Sequence, residues 1–361
     1  MKNLNLVLAV AAGFTIALVA ANGVAADDAY PKLSGEVGIE VQNDYTFDSD
    51  DPAAEQNELG ATIEPAVTLQ FSETVSLNTE LTLEAQRDPG PKEDRVFQDH
   101  GLAVSVLTLN YDGERFGVYG GKFGPNFALA WDAAAGLYGT DVAEDLELAD
   151  FLGAGGYVNF GDTALGSLVG SASVFFTDTT ILSESFITNR GRTRQAAGEP
   201  GNTESPESFA LALDGEAVPG LDGFGYHVGY ALLSADNAST EHRFAFAGYW
   251  ELELENGVTL VPLLEYARIE NADSNANESR SYVTGSLGAE WGNWNAALAY
   301  TGKIVTISGN GNGDSYDDQI GVSFGYAWDN GIGLDVGYKH NRTAGIATQT
   351  VGALLSYGFE F

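Results

Sequence analysis

The stretch from Val351 to Phe361 reads V-G-A-L-L-S-Y-G-F-E-F and alternates with a period of two residues. In an extended strand its apolar side chains share one face: Val351, Ala353, Leu355, Tyr357, Phe359 and Phe361. The other face carries small or polar side chains, with Leu354 as the exception: Gly352, Ser356, Gly358 and Glu360. A strand of this kind fits a barrel wall that has lipid outside and water inside.

The same alternation recurs along the whole chain, which contains about sixteen candidate strands of period two. The segments 60–72 and 75–87 are the clearest of them. The sequence therefore predicts an all-β fold, a transmembrane antiparallel up-and-down β-barrel of about 16 strands. A soluble β-sandwich or propeller is the alternative, but it needs no alternation in so many consecutive strands, and no repeat of propeller length is evident.

The connections between the candidate strands alternate between short and long. The short ones are mostly turns rich in Asn, Asp and Gly: 73–74, 112–114, 161–163, 255–257, 292–293 and 329–331, with 215–222 as a longer exception. The long ones are polar loops: 45–59, 88–99, 125–149, 178–206, 234–241, 270–280, 305–315 and 342–348. Aromatic residues flank the short turns, as an aromatic girdle would: Tyr111, Phe116, Trp291, Trp294 and Trp328. One-sided loop lengths are typical of bacterial outer-membrane barrels.

The N-terminus predicts export. Residues 1–26 have a charged start at Lys2, an apolar stretch and small residues before Asp27, the pattern of a cleaved signal peptide. An anchoring helix is the alternative. The remainder, 27–361, is predicted to be a single barrel domain, because no Pro- or Ser-rich linker divides it. The chain has no cysteine, so disulfides and thiol chemistry are excluded.

The charge of the chain is strongly negative. There are 51 Asp and Glu residues against 16 Lys and Arg residues, a formal net charge of −35. This excludes a nucleic-acid partner, because phosphate contacts need Lys and Arg. Two interpretations remain: a solvated acidic surface, or an acidic pore that favours cations.

One block of sequence resembles a known family. It runs V-Y-G-G-K-F-G-P-N-F over 118–127, A-W-D over 130–132, G-L-Y-G-T-D over 136–141 and E-D-L-E-L over 144–148. The block is similar to Gram-negative outer-membrane porins, most of all those of alphaproteobacteria. The resemblance implies a homotrimeric channel of the outer membrane for passive diffusion of small hydrophilic solutes and ions, without a cofactor. It also implies the lipid bilayer and lipopolysaccharide as partners.

The family also implies that the third long loop folds into the barrel and narrows it. By count this loop is 125–149, and its apolar residues, such as Phe127 and Trp131, are unusual for a solvated loop. The residues predicted to turn towards the lumen at this constriction are acidic: Asp132, Asp141, Glu144, Asp145 and Glu147. An external acidic loop or a subunit contact are the alternatives.

Strand parity assigns charged residues to the inner wall, because a charge on the lipid face is costly. The acidic pore-lining candidates include Glu64, Glu80, Glu84, Glu251, Glu265, Glu290 and Asp335. The basic candidates are few: Arg243, Lys303 and Lys339. Members of the family have an arginine ladder opposite the loop, from which this chain departs. We therefore predict a cation-selective pore.

Other functions find less support in the sequence. The histidines are scattered, and no hydrolase or metalloprotease motif is present, so no enzymatic activity and no metal site are predicted. The only basic cluster, Arg190, Arg192 and Arg194, is interpreted either as an anion or lipopolysaccharide contact or as part of a solvated loop. The main alternative function is a solute-specific channel or receptor whose loops grip a ligand. Tyr119, Trp131, Tyr138 and Tyr249 would then form a sugar-stacking track, or otherwise pack the loop.

Overall fold

Long alternating segments of the sequence become strands of one continuous antiparallel sheet. The computed structural model describes residues 30–87, 89–236, 238–308 and 314–361, so the predicted signal peptide lies outside the described residues. Sixteen strands form the wall: β1 (Lys32–Ser49), β2 (Gln56–Gln70), β3 (Val75–Ala85), β4 (His100–Asp112), β5 (Phe116–Phe123), β6 (Phe151–Thr163), β7 (Gly166–Thr177), β8 (Ser208–Glu216), β9 (Phe224–Leu233), β10 (Glu241–Trp250), β11 (Thr259–Glu270), β12 (Glu278–Trp291), β13 (Trp294–Ile307), β14 (Ser315–Ala327), β15 (Ile332–Thr343) and β16 (Ile346–Glu360).

The described residues of the connecting segments carry only short elements. Three are two-residue strands: Arg95–Val96, Phe186–Ile187 and Leu252–Glu253. One is an α-helical turn, α1 (Ala130–Ala133), and four are 3₁₀ turns: Ala143–Leu146, Ile181–Ser183, Gln195–Ala197 and Ala272–Ser274. Among the described residues, no helix is long and apolar enough to cross a membrane.

The sheet closes on itself because β16 pairs with β1. The register places Glu36 opposite Glu360 and Val37 opposite Phe359. At the end of the seam the Gly35 N–H donates to the Phe361 carbonyl at 3.0 Å, and the Phe361 N–H donates to the Gly35 carbonyl at 2.9 Å. The predicted antiparallel barrel of sixteen strands is therefore confirmed.

The two faces of the wall differ in polarity as the period of two predicts. On β11 the outward Leu264 is 62 % exposed, whereas its inward neighbours Leu263 and Glu265 are 5 % and 1 % exposed. The aromatic residues beside the short turns are exposed on the outer surface: Tyr111, Phe116, Trp291, Trp294 and Trp328. They form contacts there, with ring centroids 5.8 Å apart for Tyr111 and Phe116. An aromatic band of this kind suits the edge of a lipid layer.

Two predicted long loops are wrong. The segment 342–348 is a two-residue hairpin turn, in which Ala344 and Gly345 have φ angles of 51° and 83°, as a tight I′-type connection requires. In place of the segment 45–59, the connection comprises only residues 50–55, because β1 ends at Ser49 and β2 begins at Gln56. The polar residues that suggested a loop alternate with outward Tyr45 and Phe47, so the strand persists through them.

The barrel seam yields a first prediction. A Cβ at Gly35 would lie 2.6 Å from the Ala66 carbonyl oxygen and 2.6 Å from the Phe361 ring. Gly35→Ala is therefore expected to destabilise the barrel by about 1–3 kcal/mol, the usual cost of overpacking. The control is Gly285→Ala, because Gly285 also faces outward and its nearest neighbour is at 3.8 Å. Urea unfolding followed by heat-modifiable gel mobility measures the difference, and equal stability of the two variants would contradict the prediction.

Candidate functional site

The third long connection enters the barrel instead of extending away from it. It begins where β5 ends at Phe123 and returns to the wall at Phe151. Phe127 and Leu129 are 1 % and 7 % exposed, because they pack against small inward residues of the opposite wall. Those wall residues include Ala210, Ala231, Ala245, Ala247 and Ala267. We call residues 124–150 the internal loop.

Hydrogen bonds hold the internal loop along half of the wall. The contacts, in order along the loop, are His227 Nε2 with the Phe127 carbonyl at 2.7 Å, the Leu129 N–H with Glu265 Oε2 at 2.6 Å, the Ala135 N–H with Ser286 Oγ at 3.0 Å, the Leu137 N–H with Ser323 Oγ at 3.2 Å, and the Tyr138 hydroxyl with Asp44 Oδ1 at 2.6 Å. The partners lie on β9, β11, β12, β14 and β1. The internal loop is therefore held against the inner face of the strands from β9 to β14 and against β1, and none of these five bonds goes to β2 or β3.

Glycines on the inner wall give the internal loop room to approach. A Cβ at Gly229 would lie 1.8 Å from the Phe127 carbonyl oxygen, and one at Gly352 would lie 2.0 Å from the Tyr138 hydroxyl. No other residue type permits so close an approach of loop and strand backbone. We did not predict this docking surface from the sequence. The pattern that indicates it is the run of Gly and Ala at inward positions of β8 to β16.

The three basic residues predicted to line the pore face inward, and each is paired. Lys303 Nζ lies 2.6 Å from Asp145 Oδ2, and Lys339 Nζ lies 2.7 Å from Asp141 Oδ2. Arg243 Nε lies 2.6 Å from Glu241 Oε1. Two of the loop carboxylates thus fasten the internal loop to the wall. The three lumen cations have their charges offset by neighbouring carboxylates.

The expectation that Glu265 lines the water-filled lumen is wrong. Glu265 faces inward, but the internal loop covers it, and it is 1 % exposed. Its Oε2 accepts the Leu129 N–H, so its carboxylate anchors the loop backbone. Parity predicts the direction of a side chain correctly and cannot predict what covers it.

The remaining loop carboxylates face a wall of further carboxylates. Asp132, Glu144 and Glu147 are partly or fully exposed on the lumen side of the internal loop. Opposite them, β1, β2 and β3 carry half-buried inward residues: Glu40, Glu64, Glu80 and Glu84. Glu64 interacts electrostatically with Glu40, Glu84, Glu80 and Glu147. The narrowed passage therefore has carboxylates on both sides.

Protonation of the loop carboxylates is shifted towards neutral pH. Desolvation inside the barrel, together with the nearby charges of Glu144, Asp150 and Glu84, raises the pKa of Glu147 to about 7. Burial raises the pKa of Asp132 to about 6. Glu147 is exposed to pore water, but the surrounding wall limits its hydration, so both causes act together. The charge of the passage consequently changes between weakly acidic and weakly alkaline pH.

The other predicted lining residues lie near the short-turn rim. Glu290 is adjacent to the turn after Trp291, and Asp335 is close to the turn before Ile332. Glu251 lies between Trp250 and the short strand Leu252–Glu253, at a break in regular pairing. Glu251 and Glu290 are separated from the narrowing, whereas Asp335 interacts electrostatically with Glu40 on its wall.

The candidate stacking aromatics are engaged in the structure of the internal loop. Tyr138 is 3 % exposed and donates to Asp44, while Trp131 Nε1 donates to the Ala128 carbonyl at 3.0 Å. Tyr249 donates to Glu216 Oε1 at 2.8 Å, and Tyr119 packs edge-on against Phe123 with ring centroids 4.9 Å apart. Their positions agree with the packing interpretation of these residues.

His227 contacts the internal loop with one ring nitrogen and β8 with the other. Both ring nitrogens of His227 face acceptors, Asp214 Oδ1 and the Phe127 carbonyl, each at 2.7 Å. This histidine is a clamp for the internal loop. Within the described part of the chain, no three His, Asp or Glu side chains are grouped so as to hold a metal ion.

Comparisons with known proteins agree with the barrel. No family model matches the chain, and no curated protein matches it. Solved structures do: the outer membrane channel DcaP of Acinetobacter baumannii has 12 % identity and a TM-score of 0.55, over 91 % of this chain and 96 % of that one. The trimer form of OmpT, an outer membrane protein of Vibrio cholerae, has 9 % identity and a TM-score of 0.55, over 91 % and 99 %. OccK1 of Pseudomonas aeruginosa has 8 % identity and a TM-score of 0.53, over 91 % and 99 %. At such identities these likenesses establish the fold.

Proposed function

We propose that this chain is an outer-membrane channel of the general porin type, through which small hydrophilic solutes and ions diffuse passively. The observation that carries the proposal is the passage beside the internal loop, where carboxylates face one another. The barrel has enough strands to enclose water, and its apolar exterior with an aromatic band suits a membrane. The structures it resembles are named as outer-membrane proteins and channels, which supports the same location.

A preference for cations is expected because the passage contains carboxylates that form no salt bridge among the described residues. Glu64, Glu84 and Glu147 interact across the opening, whereas Lys303 and Lys339 are paired with loop carboxylates. Carboxylates around a watery constriction raise the local concentration of cations and lower that of anions. A homotrimer is part of the proposal, supported by the sequence resemblance and by the trimer form of one similar structure.

A planar bilayer containing the purified mature protein, under a KCl gradient, tests the proposal. We expect conductance steps in groups of three and a reversal potential on the cation-selective side. An anion-selective reversal potential would contradict the proposed cation preference, but it would still support the proposed channel. Saturable block by a single solute would favour the solute-specific channel, and folded protein without conductance would indicate a plugged receptor.

The raised pKa values predict how selectivity depends on pH. Because Glu147 and Asp132 have pKa values of about 7 and about 6, they gain protons as the pH falls from 8 to 5. The passage loses negative charge, so cation preference is expected to decrease in that direction. In Glu147→Gln, the decrease between pH 8 and pH 6 should be smaller than in the unmodified protein, and it should not vanish, because Asp132 still titrates in the lower part of this range.

The control for this titration is Glu290→Gln, because Glu290 lies at the short-turn rim. Its reversal potential should follow the pH dependence of the unmodified protein. Two results would contradict the proposal that Glu147 and Asp132 set this pH dependence. One is a cation preference that rises on acidification, and the other is a decrease between pH 8 and pH 6 that is as large in Glu147→Gln as in the unmodified protein.

A further inference from the structure

One group of side chains on the inner wall holds the beginning of the internal loop. The three contacts, in chain order, are Asn126 Nδ2 donating to Asp214 Oδ2 at 3.1 Å, the Phe127 carbonyl with His227 Nε2 at 2.7 Å, and the Leu129 N–H donating to Glu265 Oε2 at 2.6 Å. The three wall residues come from β8, β9 and β11. We call Asp214, His227 and Glu265 the loop clasp.

The number of protons on His227 follows from the groups that its ring faces. A carbonyl oxygen can only accept, so Nε2 must carry a proton to bond Phe127. On the other side, Nδ1 lies 2.7 Å from Asp214 Oδ1, and these two atoms attract each other only when a proton lies between them. The pair therefore holds one proton more than a neutral ring beside an ionised carboxylate. The charge-assisted form of this bond is the strong one.

The surroundings of the ring favour this additional proton and offer no substitute for it. The His227 side chain is 2 % exposed, so water cannot replace a lost partner. Glu265 interacts electrostatically with the ring, and its Oε1 has no hydrogen-bond partner among the described residues. Within the described ranges, neither Asp214 nor Glu265 has a Lys or Arg at salt-bridge distance. The imidazolium is therefore the charge that offsets these two acids.

The strand on the other side of His227 places no charge directly beside it. On β10 the residue opposite His227 is Ala247. Tyr249 follows two positions later, interacts electrostatically with Asp214, and donates its hydroxyl to Glu216 Oε1 at 2.8 Å. Tyr249 and Glu216 are thus the further titratable groups beside the clasp.

We propose that the proton shared by His227 and Asp214 is a switch that docks the internal loop, and that loss of this proton at alkaline pH releases the loop from β9. Without it, a nitrogen lone pair faces either the Phe127 carbonyl or the Asp214 carboxylate, and both arrangements are repulsive. The docked loop holds the proton more firmly than the released loop does, so rising pH favours release. An effect of the release on conductance rests on the proposed channel function, whereas the docking itself does not.

Asp214→Asn separates the proton from the shape of the clasp. The amide of this variant can donate an N–H to Nδ1 of a neutral ring, while its oxygen still accepts from Asn126. Nε2 then keeps its proton for the Phe127 carbonyl, and the loop stays docked without an ionisable pair. His227→Ala removes the contact to the loop at every pH.

The test measures the rate at which subtilisin cleaves the internal loop of the folded mature protein in detergent, at pH 7 and at pH 10. Each rate is divided by the rate for the heat-denatured protein at the same pH, because the protease itself responds to pH. We expect the normalised rate of the unmodified protein to rise at least about tenfold at pH 10, since losing a charge-assisted hydrogen bond shifts the docking equilibrium by about that factor. Nitrogen-15 NMR should show two protonated ring nitrogens on His227 at pH 7 and one at pH 10.

The variants should differ in their response to pH. D214N should be cleaved slowly at both pH values, and H227A rapidly at both. Two controls should keep the alkaline rise: Y249F, which removes the nearby phenol, and H242N, because His242 Nδ1 bonds the Tyr230 hydroxyl at 2.9 Å.

Three results would overturn the switch: an alkaline rise that persists in D214N, a rise that is lost in Y249F, or an unmodified loop that is equally resistant at pH 7 and pH 10. The cleavage rates decide this even if the protein does not conduct. A conducting channel whose loop is cleaved independently of pH would overturn the switch and leave the proposed channel.

Discussion

The triple variant E64Q/E84Q/E147Q is expected to lower the ratio of K⁺ to Cl⁻ permeability about tenfold in 0.1 M KCl at pH 8, where Glu147, with a pKa of about 7, is largely ionised. A carboxylate at about 8 Å from a monovalent ion contributes roughly 0.5 kcal/mol in water, and screening at this ionic strength removes about half of that. Each carboxylate stabilises the cation and destabilises the anion by this screened amount, so each one counts twice in the ratio of the two permeabilities. The three carboxylates together change this ratio by roughly 1.5 kcal/mol, which corresponds to about a factor of ten.

A second triple variant separates the passage from the surface. E251Q/E255Q/E290Q removes the same number of charges at the short-turn rim, away from the narrowing. Its permeability ratio should change less than about twofold at this salt concentration. Glu290 lies roughly 13 Å along β12 from Ser286, which holds the internal loop, and this exceeds the Debye length of about 10 Å. If both variants lower the ratio equally, the selectivity resides in the general charge of the molecule, and the passage has no special role. Reversal potentials in the same lipid and salt give the comparison.

The second large effect is expected from Gly229→Ala, which should release the internal loop. A methyl group there would lie 1.8 Å from the Phe127 carbonyl oxygen, and this backbone atom cannot rotate away. The clamp that His227 makes to the same carbonyl at 2.7 Å would break. We expect rapid cleavage of the loop by added protease and a broad distribution of conductances in place of a single value.

Gly60→Ala is the matched control for this substitution. Gly60 also faces the lumen, on β2, and a Cβ there would meet no atom within 4 Å. The control should keep the loop resistant to protease and the conductance uniform. Cleavage in both variants, or in neither, would show that close approach at Gly229 does not hold the loop.

The fold was readable from the sequence because a barrel wall repeats one simple requirement. Every strand must present apolar residues to one side and polar residues to the other, so the alternation predicted about sixteen strands. Loop lengths were less readable, as residues 342–348 show. Polar residues at the end of a strand look the same whether the strand continues beyond the lipid or ends there. Only the backbone geometry at Ala344 and Gly345 distinguishes the two.

At the candidate site, the sequence predicted which side chains point inward, but it did not predict what they contact. Parity placed Arg243, Lys303 and Lys339 inside, but their partners come from Asp141, Asp145 and Glu241, which are distant in sequence or on the same strand. The covering of Glu265 depends on where the internal loop rests. That position is set by the small residues of the opposite wall. These residues lie on separate strands, so they can be recognised as one surface only when the arrangement of the strands in the closed barrel is known.

The pairing of Glu36 with Glu360 also has a kinetic consequence. Every other seam of the wall joins neighbours along the chain, and such local pairings form at low entropic cost. The seam between β1 and β16 joins strands at opposite ends of the wall, so its formation waits for all the others. Until then, two strands present unpaired edges that can join another chain. Assembly of this molecule is therefore expected to be limited by its final seam, and a rate of closure that is insensitive to Gly35→Ala would contradict this order of events.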